Sequence, residues 1–300
     1  MSFSSGVKEE LCRVKLTRKC CAEAEAFGIL LYCNTFSGQQ IKIVTESRDF
    51  AARLPKLFRK AFNLEFDQLP DGDEGGKQCF SIADPKKISQ IFHTYGYTPE
   101  TSVTLHVNFG ALEEECCRIS FLRGAYLAGG SVTDPKKRYH LELATSHFKV
   151  SAETLALILD LGFSPKITER SGNSVLYFKQ SDYIEDFLTF LGAPVSAMGV
   201  MEAKVEKDLR NGVNRRVNCE TANLTKVVDA AQEQLQAIRI LEQRGQLERL
   251  PEKLRNTALL RRENPEATLL ELAEMNEPPI TKSAINHRMR KLLELSREKQ

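Results

Sequence analysis

The chain has almost no net charge: 42 Lys and Arg against 40 Asp and Glu leave +2 over 300 residues. Bulk charge therefore cannot drive binding to a polyanion, and any nucleic-acid footprint has to come from local clusters. No apolar run reaches membrane-spanning length and no signal-peptide pattern opens the chain, so a soluble cytoplasmic protein with no membrane partner is expected. There is no P-loop and no GxGxxG fingerprint, so the sequence gives no sign of a nucleotide or metabolite site, and no cofactor is expected. Eight cysteines are present, but none form a CxxC pair; they stand as adjacent pairs or singly inside apolar patterns. That spacing argues against a disulfide framework and against a structural zinc site, which takes spaced pairs, and for a reduced chain. His93, His106, His140 and His147 share no helical ligand spacing, which argues against metal binding or acid–base catalysis.

What remains is the composition of an ordinary soluble protein, 42% apolar and 27% charged, long enough for two or three domains. Its strongest pattern is an internal repeat. The stretch Cys20–Asn34 falls in register with Cys116–Gly130, and Gly28 to Gly124 sets the offset at 96 residues. The paired cysteines, the mid-helix glycine and the leucine three residues on all coincide. The same offset lays 77–82 over 173–178, Ile88 over Ile184 and Gly96 over Gly192. One folding unit has been duplicated.

Each copy reads as helix, two strands, helix, two strands, helix. In the first, Gln39–Thr45 alternates as a strand and Asp49–Phe62 as a helix, with Pro55 either in its first turns or bending it. Gly75-Gly76 marks a turn, Gln78–Ala83 a strand, and Asp84-Pro85 opens the closing helix as cap and first helical residue. In the second, Tyr139–Thr145 and Val175–Phe178 read as strands, Ser151–Leu161 and Asp182–Leu191 as helices. The expected class is α+β, a pseudo-dimer of αββαββα units. Residues 1–15 form an N-terminal extension, 16–110 and 111–198 the two copies, 199–222 a polar and basic linker containing Arg215 and Arg216, and 223–300 a helical domain.

The tail carries the second strong signal. Thr268-Leu269-Leu270-Glu271 is a capping box, hydroxyl and carboxylate each satisfying a free N–H at a helix start. The short helix cannot continue through Asn276-Glu277-Pro278-Pro279, Ile280 restores an apolar contact, and a longer helix begins at 281–283 and runs to about Ser296. That is a helix-turn-helix over 268–296, whose second helix enters the major groove. Ile285, Met289 and Leu292 share the packing face; Lys282, Ser283, Asn286, His287 and Arg290, with Lys291 beside them, are the candidate DNA contacts. Asn and Arg are the residue types that pair bidentately with adenine and guanine edges. From Lys282 to Gln300 six Lys and Arg face two acids, which concentrates positive charge where phosphates would lie. A two-helix packing or dimerisation unit is the competing reading.

The second copy's Leu122–Gly130 resembles the LAGLIDADG signature of homing endonucleases, in which two such helices pack side by side and the carboxylate before the final glycine holds Mg²⁺. Here those positions are Gly129 and, in the first copy, Cys33, so the resemblance implies a scaffold kept and a chemistry lost: two-metal hydrolysis needs hard oxygen ligands. Together with Gly6–Leu11, Asn218–Asn223 and Ser283–Leu292, the pattern spans nearly the whole chain and resembles the WhiA family of Gram-positive bacteria. The resemblance implies a nucleoid-associated transcription factor, not an enzyme, with roles in sporulation, cell division and chromosome segregation. It also implies a partner in double-stranded promoter DNA and candidate contacts with RNA polymerase or another regulator. Residues outside the tail weigh as follows. Gly28, Gly124 and Gly130 suit close helix packing, and the Cys20-Cys21 and Cys116-Cys117 pairs pack as small hydrophobes. Lys136-Lys137-Arg138, with Arg215 and Arg216, are candidate phosphate contacts or solvated charge. Asp134, the acid near a signature end, lies five beyond Gly129 and matches Gly38, not a second acid. An internally duplicated unit satisfies its own pairing, so a monomer is expected. The competing functions are an Mg²⁺-dependent endonuclease using unrecognised acids and a nucleoid-associated adaptor.

Overall fold

The computed structural model describes residues 2–70, 76–98 and 104–298. Gly75 of the expected Gly75-Gly76 turn lies outside the described residues. The elements run α1 (Phe3–Cys12), α2 (Lys19–Tyr32), β1 (Thr35–Phe36), β2 (Ile41–Thr45), α3 (Arg48–Phe62), β3 (Gln78–Ile82) and α4 (Pro85–Thr94) through the first copy. The second continues with α5 (Glu115–Gly129), β4 (Gly130–Val132), β5 (Leu141–Thr145), α6 (Phe148–Asp160), β6 (Lys166–Arg170), β7 (Asn173–Phe178) and α7 (Ser181–Leu191). Then come α8 (Pro194–Gln243), α9 (Glu252–Glu263), α10 (Leu269–Glu274) and α11 (Lys282–Arg297). The chain divides into two compact units, 1–208 and 209–300.

The first unit is built around α2 and α5, the two signature helices. Ten of the fourteen residues of α2 are buried, because one helix face meets α5 and the other faces the core. A Cβ on Gly28 would stand 2.0 Å from the Phe121 carbonyl oxygen, and one on Gly124 2.0 Å from that of Glu25. The two backbones therefore touch at both glycines, in a reciprocal contact that fits the duplication. Gly130 is different: its Cβ would meet Tyr126 of its own helix at 2.5 Å, so it turns the chain from α5 into β4 and takes no part in the crossing. Gly129 is the position at that end which meets the other copy, since a Cβ there would stand 2.9 Å from the Tyr32 ring.

Each copy has its own sheet. The second is complete, four antiparallel strands in the order β4-β5-β7-β6. Among the described residues the first has three, β1-β2-β3, with a single bridge between Gln68 and Ser81 where the repeat predicts a fourth strand. Pro55 lies in the interior of α3, eighth of its fifteen residues, and the helix runs through it. The N-terminal extension is part of the fold. Val7 and Leu11 of α1 are fully buried, and the Glu10 carboxylate accepts from the Val195 and Ser196 amides at 2.7 and 2.8 Å. It thus caps the start of α8, where an anion is favoured by the helix dipole.

The segment 199–222, expected as a linker, is helical from end to end within the fifty residues of α8, and the division between the two units falls inside it. In the second unit a small core of Ile238, Leu241, Leu247, Ala258, Leu272, Ala273, Ile285, Met289 and Leu292 joins the end of α8 to α9, α10 and α11. Arg261 is buried beside it, donating from Nε to Gln234 Oε1 at 3.0 Å and from Nη1 to the Ala267 carbonyl at 2.5 Å, which fixes the turn before α10.

Candidate nucleic-acid interface

The helix-turn-helix assembles as its sequence signals dictate. Thr268 Oγ1 accepts from the Glu271 amide at 3.3 Å and Glu271 Oε2 accepts from the Thr268 amide at 2.7 Å, the reciprocal box that starts α10. The Thr268 backbone N–H holds the Glu271 carboxyl below its usual range. Thr268→Ala should therefore destabilise the second unit by about 0.5–2 kcal/mol; hydrogen exchange at the α10 amides would register it, and unchanged protection would contradict it. After α10 the Ile280 amide returns to the Ala273 carbonyl at 3.0 Å and Asn276 Nδ2 donates to the Pro278 carbonyl at 2.7 Å, closing the turn. Thr281 Oγ1 then caps α11 by accepting from Ala284.

On α11, Ile285, Met289 and Leu292 are buried in the unit core. Lys282, Ser283, His287, Arg290 and Lys291 are exposed or half-buried and Asn286 is half-buried, so the expected set shares the outward side of one helix. Lys291 sits 3.5 Å from Glu294, both exposed, a contact too solvated to hold it from a phosphate. Arg288, also basic, faces inward: Nη1 donates to Asn276 Oδ1 at 3.2 Å and to Thr257 Oγ1 at 3.4 Å. It ties α11 to the turn and to α9.

The remaining candidates lie elsewhere. Lys136, Lys137 and Arg138 are exposed in the turn between β4 and β5, held by Asp134 Oδ1 accepting from the Lys136 amide at 2.9 Å. Asp134 thus serves the turn. Arg215 and Arg216 are exposed on α8.

The signature-helix ends hold no paired acids. The Cys33 thiol is engaged by the Leu30 and Thr35 carbonyls, with Sγ 3.2 and 3.3 Å from their oxygens, and burial pushes its pKa up to about 12. At Gly129 a Cβ would stand 2.4 Å from the Ala144 carbonyl oxygen, so the backbone leaves no room for any side chain. Beside these ends an open concavity of about 610 Å³ is lined by Ser4, Lys8, Asn34, Glu46 and Lys77 among others, one carboxylate against two ammonium groups. Lys8 donates to the Leu127 carbonyl at 3.0 Å, and its burial lowers its pKa. Lys8 thus lines the concavity beside the C-terminal end of α5.

Two further groups escape sequence reasoning. Glu25, fully buried on α2, is paired to Arg53 of α3 at 2.6 Å and to Arg123 of α5 at 3.4 Å. And the two cysteine pairs, which read in sequence as separate packing contacts, converge: the thiols of Cys20, Cys21, Cys116 and Cys117 all lie within 4.8 Å of one another. The signal for the second is the shared register of the pairs on helices that pack together.

These features define a class of protein, a LAGLIDADG-type pseudo-dimer with degenerate signature ends that carries a C-terminal helix-turn-helix. Residues 118–210 match the WhiA LAGLIDADG-like domain and residues 213–296 the WhiA C-terminal HTH domain. The chain is 39% identical to the probable cell division protein WhiA of Ruminiclostridium cellulolyticum, over 99% of this chain and 97% of that protein. It is 38% identical to the protein of the same name from Alkaliphilus metalliredigens, over 97% and 96%. The chain belongs to the WhiA family. Its fold is similar to the crystal structure of full-length DUF199/WhiA from Thermotoga maritima, with a TM-score of 0.60 at 24% identity over 99% of this chain and 98% of that one.

Proposed function

We propose that the chain is a sequence-specific DNA-binding transcriptional regulator whose homing-endonuclease scaffold no longer cleaves DNA. The observation that carries this reading is the outward side of α11, where Asn286 and Arg290 stand beside Lys282, His287 and Lys291 on a helix whose other side is locked into the unit core. Such a helix places bidentate readers against base edges while the lysines meet phosphates. Lys136–Arg138, on the 16–198 repeat domain, and Arg215-Arg216, on the 199–222 segment, supply further phosphate contacts. The absence of acids from positions 33 and 129, with Lys8 beside them, supports the loss of metal-dependent cleavage. The relatives' name places them in cell division; for this chain we propose that role, with sporulation and chromosome segregation as its wider setting. A monomer acts at promoters in the cytoplasm, on the nucleoid, with RNA polymerase or another regulator as partner.

The test is capture of genomic fragments by the full-length protein in Mg²⁺ buffer at physiological salt, with bound fragments and their ends sequenced. Intact fragments sharing a short sequence near promoters are expected. Cut ends lost on chelation would replace this reading with the endonuclease, and weak, strongly salt-dependent binding without a shared sequence would replace it with the adaptor. On the site so found, Asn286→Ala and Arg290→Ala should each cost about 1–3 kcal/mol and relax specificity at one position. Lys291→Ala should weaken all sequences alike and lower the salt slope by about one. Unchanged affinity and preference in the first two variants would remove α11 from the mechanism.

A further inference from the structure

The cysteine pairs that the duplication sets in register are brought face to face by the fold. Cys20 and Cys21 lie in the first turn of α2, Cys116 and Cys117 in the first turn of α5. The helices cross at Gly28 and Gly124, and each pair begins eight residues before its glycine, about two turns away. Pseudo-two-fold symmetry then places one pair opposite the other, and all four Sγ atoms fall within 4.8 Å of one another. Neighbouring residues on a helix diverge by about 100°, so each pair points two sulfurs around a common centre instead of lining one face.

Four sulfurs about one point are the donor set of a closed tetrahedral thiolate site. With Zn–S bonds of about 2.3 Å the sulfurs stand about 3.8 Å apart, inside the spread found here. A bridged iron–sulfur cluster divides its cysteines between irons and needs them further apart. We propose that Cys20, Cys21, Cys116 and Cys117 bind one divalent ion of the zinc class, clasping α2 and α5 at the ends opposite Cys33 and Gly129.

Both pairs sit at helix N-termini, whose free N–H groups and dipole favour negative charge. Arg18 Nη1 lies 3.8 Å from Cys116 Sγ. Cys20 is exposed and Cys117 buried, so an ion has an entry side and a closed side. Binding exchanges protons for metal: four thiols and one Zn²⁺ give a tetrathiolate complex of charge −2 and release four protons to water. The duplication explains the unusual spacing, since two adjacent pairs on two helices replace two spaced pairs on one hairpin.

The experiment uses full-length protein carrying no metal-affinity tag, purified under reducing conditions without chelator. Metal content is measured by mass spectrometry, and the ion is then replaced with Co²⁺. One zinc per chain is expected, with the intense thiolate-to-cobalt charge-transfer absorption and visible bands of a tetrahedral site. Cys219→Ser, which alters a thiol on α8, should keep the ion; Cys21→Ser with Cys116→Ser should lose it. Reduced wild-type protein that retains no zinc after incubation with ZnCl₂ and desalting, and gives no cobalt charge-transfer band, would overturn the proposal. So would Cys–Cys disulfides within this group in freshly trapped protein. Both readouts on the wild-type chain stand even if the double variant fails to fold.

Discussion

Gly124→Ala should destabilise the first unit by about 3 kcal/mol or more, at or beyond the upper end of overpacking substitutions. The added methyl would stand 2.0 Å from the Glu25 carbonyl oxygen and 3.1 Å from the Ile29 amide nitrogen, and neither can give way without moving α2 as a whole. Gly28→Ala should cost a similar amount, since its methyl would meet the Phe121 carbonyl oxygen at 2.0 Å and the Ala125 nitrogen at 2.7 Å. The double variant should cost less than the sum, because helices already forced apart by one methyl have room for the other. Two controls carry the opposite sign. Gly6 and Gly212 lie in helices with nothing within 4 Å of a Cβ, so alanine there should stabilise by a few tenths to about 1 kcal/mol. Hydrogen exchange resolved to the α2 and α5 segments is the proper measurement in a chain of two units, for which one global midpoint is not a defined free energy. Equal stability of Gly124→Ala and Gly212→Ala would mean that the signature helices do not meet at their backbones.

The contact at those glycines was legible in the sequence because duplication wrote it twice, at positions 96 residues apart. The helix starts were legible for a local reason as well: Asp84-Pro85, Thr268 with Glu271, and Thr281 each satisfy their own backbone within three residues. Other features were not. The stretch 212–218 reads as linker because it is polar and contains glycine, yet it is helical with every residue of 211–230 exposed; helix continuity there owes nothing to a buried stripe, the pattern on which helix recognition depends. Among the described residues the first copy shows the Gln68–Ser81 bridge in place of a fourth strand, a matter of register between segments that periodicity does not report. At the candidate metal site, each cysteine pair taken alone is a packing contact; the cluster exists only once the two signature helices are laid side by side. The outward side of α11 was legible because its apolar spacing fixes which residues turn inward, whereas Arg288 was not, since its partners Thr257 and Asn276 come from outside that helix.

The buried ion network is the case where a sequence reading has least to offer and a single substitution should do most. Glu25 Oε1 accepts from Arg53 Nε at 2.6 Å and Oε2 from Arg53 Nη2 at 2.9 Å, a bidentate pair, while Arg123 Nη1 approaches Oε2 at 3.4 Å. Arg53 also donates from Nη1 to the Cys12 and Val14 carbonyls at 2.9 and 2.7 Å, and Arg123 from Nε to the Leu191 carbonyl at 2.8 Å. One carboxylate therefore holds together α2, α3, α5, the end of α7 and the chain leaving α1. Glu25→Ala strands two guanidinium groups that are 6% and 8% exposed, and breaking a buried pair by removing one partner costs about 3–5 kcal/mol. Protection should fall first at 12–18 and around Leu191, the backbone that Arg53 and Arg123 hold. Glu25→Gln keeps the shape and one acceptor but leaves the same two cations uncompensated, so it should recover only part of the loss. Replacing Glu25, Arg53 and Arg123 together with Leu, Met and Met removes the charges along with their need for one another, and should come back to within about 1–2 kcal/mol of the parent or exceed it. If Glu25→Ala alone is as mild as that triple replacement, the network is solvated in solution and the three helices are held by apolar packing.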